Sequence, residues 1–237
     1  MKCLSQTFET VLENLAADDW LLDQLANRPD PLLRFWQPSE LAVIIGRGKR
    51  VSDEVDVEAC RRDGVLIFRR TSGGGTVLLS PGCLCYSLVL SDTHPLVSES
   101  VPATTRNILT VLASALSSID DTAVSIAADQ DLTIGDRKIG GCAQRRTRSG
   151  TLFHGTILID ADLSSIARYL KQPSRQPDYR QERAHEEFLS NAPWNFATTA
   201  EAIRAACGAT TTVEKFPPEQ LNSHTEKLSD PSWIHSR

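Results

Sequence analysis

Short runs of apolar and β-branched residues, separated by glycine, proline, aspartate and serine, recur through the middle of this chain. Runs of this length with these boundaries are typical of strands in an antiparallel or mixed sheet, and they constrain the fold more than any other feature. The predicted strands are Leu32–Trp36, Leu41–Ile45, Val65–Arg69, Thr76–Leu79, Leu84–Leu90, Ala123–Ala127, Leu132–Ile134, Arg137–Ala143 and Leu152–Ile159. Gly135-Asp136 and Ser149-Gly150 have turn chemistry and predict hairpins in the second half of this series.

Segments with helical periodicity lie before, between and after these runs. Apolar residues at three- and four-residue steps predict helices over residues 8–27, 102–118, 162–170, about 180–190 and 198–207. The fold class that follows is α+β, with a mixed, largely antiparallel β-sheet flanked by helices that lie mainly on one side. We therefore expect one domain over residues 1–208. The tail, residues 209–237, is polar and is predicted to be poorly ordered in parts.

Composition and charge exclude several classes of protein. The chain has 237 residues, with 25 Lys and Arg against 30 Asp and Glu, which gives a formal net charge of −5. This balance disfavours nucleic acid as the main partner. Since no apolar stretch is long enough to span a bilayer and the first residues lack the apolar core of a secretory signal, we expect no membrane partner and a cytoplasmic location. The six cysteines lack the spacing of a zinc site and are interpreted as reduced thiols.

Three consecutive glycines interrupt the strand series within the segment Arg69–Thr76. Glycine costs backbone entropy, but it lets the main chain approach a ligand closely and aim N–H groups at an anion. The adjacent Arg69 and Arg70 add permanent charge, with forked donors that suit phosphate or carboxylate. The alternative is a flexible hairpin with solvated arginines, and the glycine run alone does not decide between the two.

A second candidate segment extends from Asp131 to Gln144 and contains a lysine at the start of an apolar strand. Near the core, the charge of Lys138 interacts more strongly with other charges than it would on a solvated face. Asp131, across the turn, could hold a metal-bound phosphate. The plainer alternatives are a surface lysine for Lys138 and a strand-end cap for Asp131. Cys142 is either a nucleophile activated by nearby positive charge or a small buried thiol.

The third candidate segment contains His154 and Gly155 on a predicted strand. His154 could act as a base, although a lone histidine in a strand is more often part of the hydrogen-bonded structure. Gly155 indicates close approach of either a ligand or another backbone.

Four motifs occur in order along the chain: Arg-Arg-x-Ser-Gly-Gly-Gly at 69–75, Asp-Leu at 131–132, Arg-Lys-Ile-x-Gly-x-Ala-Gln at 137–144 and His-Gly-Thr-Ile-Leu at 154–158. Each motif alone is weak, but four with compatible spacing are specific. Together they resemble the catalytic domain of lipoate-protein ligases and of their octanoyl- and lipoyl-transferase relatives, in the biotin/lipoate protein ligase superfamily. The resemblance covers roughly residues 8–195 and implies the mixed-sheet catalytic-domain fold of that superfamily.

The resemblance implies an ATP-dependent lipoate-protein ligase, in which lipoate or octanoate is activated as acyl-AMP with ATP and Mg²⁺ and then transferred to a lysine of a lipoyl-carrier domain. The implied carrier is of the 2-oxoacid dehydrogenase E2 subunit or glycine cleavage H protein type. Lys138 would be catalytic, because it takes the place of the family's lysine that touches acyl carbonyl and phosphate oxygens, and Asp131 would help to position Mg²⁺. The implied substrate- and nucleotide-binding residues are Arg70, Ser72, Gly73, Gly74, Gly75, Thr76, Gly141, Cys142, Ala143, His154, Gly155, Thr156, Arg180 and Arg183. For Arg180 and Arg183, solvated helix charges are an equally good interpretation.

Departures from the family pattern keep alternatives open. Many of the ligases carry a C-terminal accessory domain, and we expect no full accessory domain after residue 195, so a separate accessory-domain chain is a possible partner. Thr151 and Ala127-Ala128 stand where two transferase branches have a catalytic cysteine, which favours the adenylating ligase. Cys142 stands where the family usually has serine, so an ATP-independent transferase between carrier proteins through Cys142 is the alternative function. A non-catalytic module that binds acyl-adenylate or a carrier is the third.

Overall fold

The computed structural model describes residues 1–173 and 176–236 and arranges them in two sheets with helices around them. The strands are β1 (Lys2–Ser5), β2 (Leu32–Trp36), β3 (Ala42–Ile45), β4 (Leu66–Arg69), β5 (Val77–Leu79), β6 (Cys83–Leu90), β7 (Val124–Ala127), β8 (Asp131–Ile134), β9 (Arg137–Arg146), β10 (Thr151–Leu158) and β11 (Thr211–Thr212). The helices are α1 (Val11–Gln24), α2 (Val51–Glu54), α3 (Val57–Asp63), α4 (Val101–Ser117), α5 (Leu163–Tyr169), α6 (His185–Phe188), α7 (Phe196–Ala206), α8 (Asn222–Ser229) and α9 (Pro231–Ile234). Short 3₁₀ turns cover Asp178–Arg180 and Pro218–Leu221.

The larger sheet has the strand order β11-β1-β2-β6-β10-β9-β8-β7, and the smaller sheet has the order β4-β3-β5. Strand β1 pairs in parallel with β2 and β11, and β3 pairs in parallel with β4, whereas the other pairs are antiparallel. This topology confirms the predicted α+β class with a mixed, largely antiparallel sheet. All the predicted strands are present, but β1 and β11 were not predicted, because runs this short give too little periodicity.

The two longest helices begin where side chains satisfy the free N–H groups of the first turn. At the start of α1 the Thr10 hydroxyl accepts from the backbone N–H of Glu13, and the Glu13 carboxylate accepts from that of Thr10. Helix α4 follows the N-cap Ser100 and has Pro102 in its first turn. Both helices confirm the predictions from periodicity, as do α5 and α7.

Strand β6 is buried along its whole length, because both faces of the larger sheet are covered. Leu84, Tyr86 and Leu88 pack with α4 and α7 on one face. Cys85 packs with α1 and with Ile44 of the smaller sheet on the other face. The prediction that the helices lie mainly on one side is therefore wrong. Among the described residues, no helix combines the length and the apolar composition needed to cross a bilayer.

The predicted tail is folded onto the rest of the chain. Strand β11 extends the larger sheet at β1, and α8 packs along α1. Leu221 and Leu228 are buried, and the ring of Phe216 lies 4.5 Å from that of Trp20. The prediction of partial disorder is wrong for residues 209–236, because a few apolar side chains within a polar stretch provide the burial. Arg237 lies outside the described residues, and the division of the chain at residue 208 stays a prediction.

The region predicted as a helix near residues 180–190 is only partly helical. It contains the 3₁₀ turn Asp178–Arg180 and the single turn α6, and residues 181–184 between them begin with Gln181 and Glu182. These two residues have φ angles of +51° and +58°, in the left-handed region that non-glycine residues rarely adopt. The helical prediction fails there because the chain turns sharply between two short segments.

Candidate active site

A cavity of about 630 Å³ lies between the two sheets. Part of its wall is apolar and belongs to the buried core around α1, with Leu15, Trp36, Ile44, Leu79 and Cys85. Charged side chains form another part, with Lys49, Arg70, Lys138, Lys171 and Arg180 beside Asp18, Glu54 and Asp131. An apolar wall combined with several cations suits a ligand that has a hydrocarbon part and an anionic part.

The cavity brings together residues that the sequence motifs singled out in separate segments. Those that line it are Arg70, Gly73, Gly74, Gly75, Thr76, Asp131, Lys138, Gly141, Cys142, Ala143, His154, Gly155, Thr156 and Arg180. Ser72 and Arg183 are not part of the lining. Their predicted binding roles, like those of the lining residues, stay predictions.

Arg70 holds the glycine loop, residues 72–75, in its shape. Its Nε and Nη2 donate to the carbonyl of Gly73 at 3.2 and 2.6 Å, and Nη2 also donates to the carbonyl of Gly75 at 2.7 Å. Burial lowers the pKa of Arg70 to about 10, so the guanidinium stays charged at neutral pH. Gly74 has a φ of +86°, which favours glycine. Arg70 therefore organises the loop from within.

Gly46, at the end of β3, lets the loop pack directly on the strand. A β-carbon on Gly46 would overlap the carbonyl oxygen of Gly74 and would lie 3.2 Å from that of Gly73. At Gly48, two residues later, a β-carbon would meet nothing within 4 Å. The close approach of the two backbones thus requires glycine at position 46 but not at position 48.

Arg69 anchors the base of the loop and is fully buried. Its Nη1 donates to the carbonyls of Gly46 at 3.0 Å and Lys49 at 2.7 Å. Its Nε donates to the carbonyls of Trp233 at 3.0 Å and Ile234 at 2.9 Å. The Trp233 indole N–H in turn donates to the Arg69 carbonyl at 2.8 Å. Helix α9 is therefore joined reciprocally to the strand that leads into the loop.

Ser72 belongs to a chain of buried polar groups that links the loop to α1. Its Oγ lies 2.6 Å from Nε2 of His154, and Nδ1 of His154 lies 3.5 Å from Oδ2 of Asp18. Arg34 donates to Oδ1 of Asp18 at 2.7 Å, and Ser87 donates to Oδ2 at 2.7 Å. Burial opposes ionisation of Asp18, but Arg34, His154 and Ser87 outweigh it, so the pKa of Asp18 is lowered. His154 is thus held in place between the loop and a buried ion pair.

Asp19, the next residue of α1, supports the loop at a second point. Its carboxylate accepts from the Thr71 hydroxyl and lies 3.2 Å from Nη1 of Arg145. Burial raises the pKa of Asp19 despite these partners. Sequence reasoning missed both acids. Two adjacent aspartates within the apolar stretch between Leu15 and Leu22 were the available signal.

Lys138 and Asp131 form an ion pair, with Nζ 2.7 Å from Oδ1. The register of β8 and β9 shifts at Leu132 and Thr133, so β9 accommodates one extra residue, and Lys138 comes to the face that carries Asp131. A β-carbon on Gly141 would lie 3.0 Å from Nζ, so glycine leaves room for the ammonium group. The structure therefore favours a site lysine over a solvated surface lysine.

Tyr179 completes this arrangement and was not predicted. Its hydroxyl donates to Oδ2 of Asp131 at 2.7 Å, so each oxygen of that carboxylate has a donor. Burial and the nearby Asp131 raise the pKa of Tyr179, so the hydroxyl keeps its proton. The sequence drew attention to Arg180 and Arg183 in this segment, but it did not predict a contact between Tyr179 and Asp131, which lie 48 residues apart along the chain.

Cys142 lines the cavity, but its side chain packs against the core under α4, on the other face of β9 from Gly141 and Ala143. Its Sγ donates to the carbonyl of Gln130 at 3.3 Å. Burial and the nearby Asp131 raise the pKa of Cys142 to about 12, so the thiol is protonated at neutral pH. These features favour the small, mostly buried thiol over the activated nucleophile.

Gly155 allows strands to approach each other closely within the sheet. A β-carbon there would overlap the hydroxyl of Tyr86 and would lie 2.6 Å from the carbonyl oxygen of Gly141. Its neighbours His154 and Thr156 line the cavity from β10. Glycine at position 155 therefore makes room for the Tyr86 side chain as well as for the neighbouring backbone.

Arg180 and Arg183 both bind protein groups and are not solvated helix charges. Arg180 is buried, donates to Oε1 of Gln172 at 2.8 Å and stacks over the Phe188 ring at 4.7 Å. Arg183 donates to Oδ2 of Asp136 at 2.7 Å, which ties its segment to the β8–β9 hairpin. Of the two, Arg180 is the one that faces the cavity.

The predicted metal role of Asp131 does not fit this arrangement. A cation at Asp131 would have to displace Lys138 or Tyr179, each of which lies 2.7 Å from a carboxylate oxygen. Among the described residues, no group of three or more His, Cys, Asp and Glu side chains could hold a metal ion. Magnesium that is bound through nucleotide phosphates and water requires no such protein cage.

The two-sheet fold with its glycine loop and its lysine–aspartate pair defines a class of domain. The family model described as the lipoyl protein ligase A/B catalytic domain matches residues 10–216. Because the match covers most of the chain, the protein belongs to this family. The resemblance drawn from the four sequence motifs is thereby confirmed.

Individual relatives point to the ligase branch by name. A probable lipoate-protein ligase A of Mycoplasma genitalium is 34% identical over 158 residues, which are 66% of this chain and 45% of that protein. A probable lipoate-protein ligase A of Mycoplasma pneumoniae is 31% identical over 162 residues, with the same coverage. The chain thus spans less than half the length of these curated relatives.

Solved structures share the fold over nearly the whole chain. A putative lipoate protein ligase of T. acidophilum with bound lipoic acid has a TM-score of 0.82 at 20% identity, covering 99% of this chain and 98% of that one. A lipoate-protein ligase A bound with ATP has a TM-score of 0.81 at 22% identity, with coverages of 99% and 98%. At these identities the likeness shows the fold.

Proposed function

We propose that the protein is an ATP-dependent lipoate-protein ligase, which activates lipoate or octanoate as acyl-AMP and transfers the acyl group to a lysine of a lipoyl-carrier domain. The observation that carries the proposal is the Lys138 ammonium group, held 2.7 Å from Asp131 in a cavity with a glycine loop and an apolar wall. The names of the relatives support lipoate as the acyl substrate. The two solved structures of the same fold, one with lipoic acid and one with ATP, support both ligands.

The first step would join the acid to the nucleotide. A carboxylate oxygen forms a bond to the α-phosphorus of ATP, the bond from that phosphorus to the bridging oxygen breaks, and pyrophosphate leaves. Negative charge develops on the oxygens around the α-phosphorus, and Lys138 stabilises it because its ammonium group is already in place. The apolar wall would bury the hydrocarbon chain, at about 0.8 kcal/mol per CH₂ group.

The second step would form the amide. The amine of the carrier lysine attacks the acyl carbonyl carbon, the bond from that carbon to the AMP oxygen breaks, and the amine loses a proton to water. AMP leaves with the electron pair, next to the same Lys138 ammonium group. Mg²⁺ is proposed as the companion of ATP, where it would shield the repelling anions of the two substrates, and we assign it no protein ligand.

The proposed partner is a lipoyl-domain carrier of the 2-oxoacid dehydrogenase E2 or glycine cleavage H protein type. A solved structure of the same fold is described as a bi-partite lipoate protein ligase and its E2 lipoyl domain from Thermoplasma acidophilum, with a TM-score of 0.82 at 19% identity. That description supports testing the protein both alone and with a separate accessory chain.

The two alternatives suggested by the sequence are not favoured. A transferase that uses Cys142 would need a thiolate in the acyl site, whereas the Cys142 thiol is protonated and packs against the core. A non-catalytic binding module would keep Lys138 and the glycine loop for binding alone, and it is the names of the relatives that favour a ligase over it.

The test is the intact mass of a lipoyl-domain acceptor after incubation with the purified protein, Mg²⁺ and free lipoate or octanoate. Parallel reactions omit ATP, or replace the free acid by an acyl-carrier donor. We expect a mass gain from the free acid that requires ATP. A gain only from the acyl-carrier donor would refute the ligase in favour of the transferase, and binding of acyl-adenylate without any gain would favour the module.

A further inference from the structure

Tyr179 donates a hydrogen bond at the centre of the site but has no part in the chemistry described above. We propose that Tyr179 is a positioning residue whose hydroxyl fixes the Asp131 carboxylate, which in turn fixes the Lys138 ammonium group. The kinetic part of this inference rests on the proposed function, whereas its geometric part does not.

The carboxylate of Asp131 is the link between the two side chains. Oδ1 lies 2.7 Å from Nζ of Lys138, and Oδ2 accepts from the Tyr179 hydroxyl at 2.7 Å. Asp131 is 4% exposed, so water cannot readily replace either donor. Rotation of the carboxylate would break both contacts at once, so the hydroxyl of Tyr179 restricts the direction in which Asp131 holds the ammonium group.

Lys138 needs this restraint because its own surroundings leave it room. Its side chain is 27% exposed, and a lysine side chain has many rotamers that lead to solvent. Its ammonium group acts on phosphate and acyl oxygens only when it lies at the right place before the reaction begins. The contact with Asp131 holds the ammonium group in that position, and the hydroxyl of Tyr179 fixes the orientation of the Asp131 carboxylate.

The protein holds Tyr179 firmly. Its ring centre lies 5.1 Å from that of Phe188, and its carbonyl accepts from Arg183 at 2.9 Å. Arg183 also binds Asp136, so the turn is tied to the hairpin that carries Lys138. The next turn, residues 181–182, has two non-glycine residues in the left-handed region, a strain that persists where surrounding contacts enforce it. Phenylalanine would pack against Phe188 equally well, so only the contact with Asp131 requires the hydroxyl.

The kinetic test compares Tyr179→Phe with wild type in the ATP-dependent transfer reaction. We expect kcat to fall about tenfold while KM for ATP and for the acid changes less than about twofold, because the hydroxyl acts on positioning in the transition state. Tyr169→Phe is the matched control, since Tyr169 is buried and its hydroxyl lies near Asp63 and not near Asp131. An unchanged kcat in Tyr179→Phe beside an active wild type would overturn the inference.

A double-mutant cycle tests whether the effect passes through Asp131. In an Asp131→Asn background, Tyr179→Phe should have little further effect on kcat, because the carboxylate that it orients is already lost. Simple additivity of the two losses would show that Tyr179 acts elsewhere.

A third measurement is independent of ligase activity. In the absence of substrates, Lys138 should react with acetic anhydride about threefold faster in Tyr179→Phe than in wild type, as read by peptide mass spectrometry. Lys2, which does not line the cavity and whose Nζ lies 2.7 Å from Oδ2 of Asp30, is the internal standard and should not change. Equal rates at Lys138 would overturn the positioning role even if the enzyme proved to be a ligase. Faster labelling in a protein without ligase activity would leave the geometric part intact and refute only the proposed function.

Discussion

Replacing Gly46 by alanine tests whether the glycine loop must keep its observed position. The methyl group would overlap the carbonyl oxygen of Gly74 and would lie 3.2 Å from that of Gly73, whereas ordinary contact begins at 3.4 Å. Both obstacles are backbone atoms, so the loop has to move by about 1 Å, and a displacement of that size costs about 10²-fold in catalysis. We expect kcat/KM of ATP-dependent acyl transfer to fall about 100-fold, or about 2.7 kcal/mol.

The assay follows pyrophosphate release and the mass of the acceptor domain, with thermal unfolding to measure stability. Overpacking at Gly46 should lower the free energy of unfolding by about 1–3 kcal/mol, so the variant should still fold. Gly48→Ala is the matched control for the fold, because a β-carbon there meets nothing within 4 Å, and its free energy of unfolding should stay within about 0.5 kcal/mol of wild type. A folded Gly46→Ala protein with wild-type kcat/KM would refute the link between loop position and catalysis.

Four further predictions follow from the site and the packing. Lys138→Met should slow adenylate formation and transfer about 10²- to 10³-fold in the mass assay, and a normal rate would remove Lys138 from the site. Cys142→Ser should keep activity within about twofold of wild type, whereas complete loss of activity would favour the transferase that uses Cys142. Asp18→Asn removes the carboxylate that pairs with the buried Arg34 and should lower the free energy of unfolding by about 3–5 kcal/mol near pH 7. Because the pKa of Asp18 is lowered on folding, that difference should shrink as the pH falls below 3.8, and a constant difference in melts from pH 7 to pH 3 would contradict the assignment. Leu228→Ala should cost about 2–5 kcal/mol in thermal unfolding, and an unchanged melting temperature would mean that the end of the chain is only loosely attached.

Local patterns were enough to predict strands β2 to β10 and the glycine loop. Alternation of apolar residues and the presence of turn residues depend on near neighbours along the chain, so Leu84–Leu90 and the hairpin at Gly135-Asp136 could be recognised directly. The separation of β3, β4 and β5 into a second sheet could not be predicted, because strand pairing is decided by contacts between distant segments.

The chemistry of the site was predictable only in part, for the same reason. The motifs indicated Lys138 and Asp131. The contact between their side chains depends on a register shift between β8 and β9, which the alternation of residues in the sequence does not reveal. Tyr179 reaches Asp131 from a segment 48 residues away, and Asp18 of α1 lies beside His154 of β10. Buried polar partners such as these follow from the assembled fold, since their sequence context resembles that of solvated residues.

The reciprocal hydrogen bonds between Arg69 and Trp233 have a consequence for the order in which the protein is made. The strand that leads into the glycine loop is synthesised early, but two acceptors for the Arg69 guanidinium come from residues 233–234, 164 and 165 positions later. A growing chain can form the larger sheet around β6 before those acceptors exist, but it cannot complete the base of the loop. We therefore expect the nascent chain to bind ligand only after helix α9 has emerged from the ribosome. Completion of the loop base is then a late folding step, because it joins segments that lie far apart in the sequence.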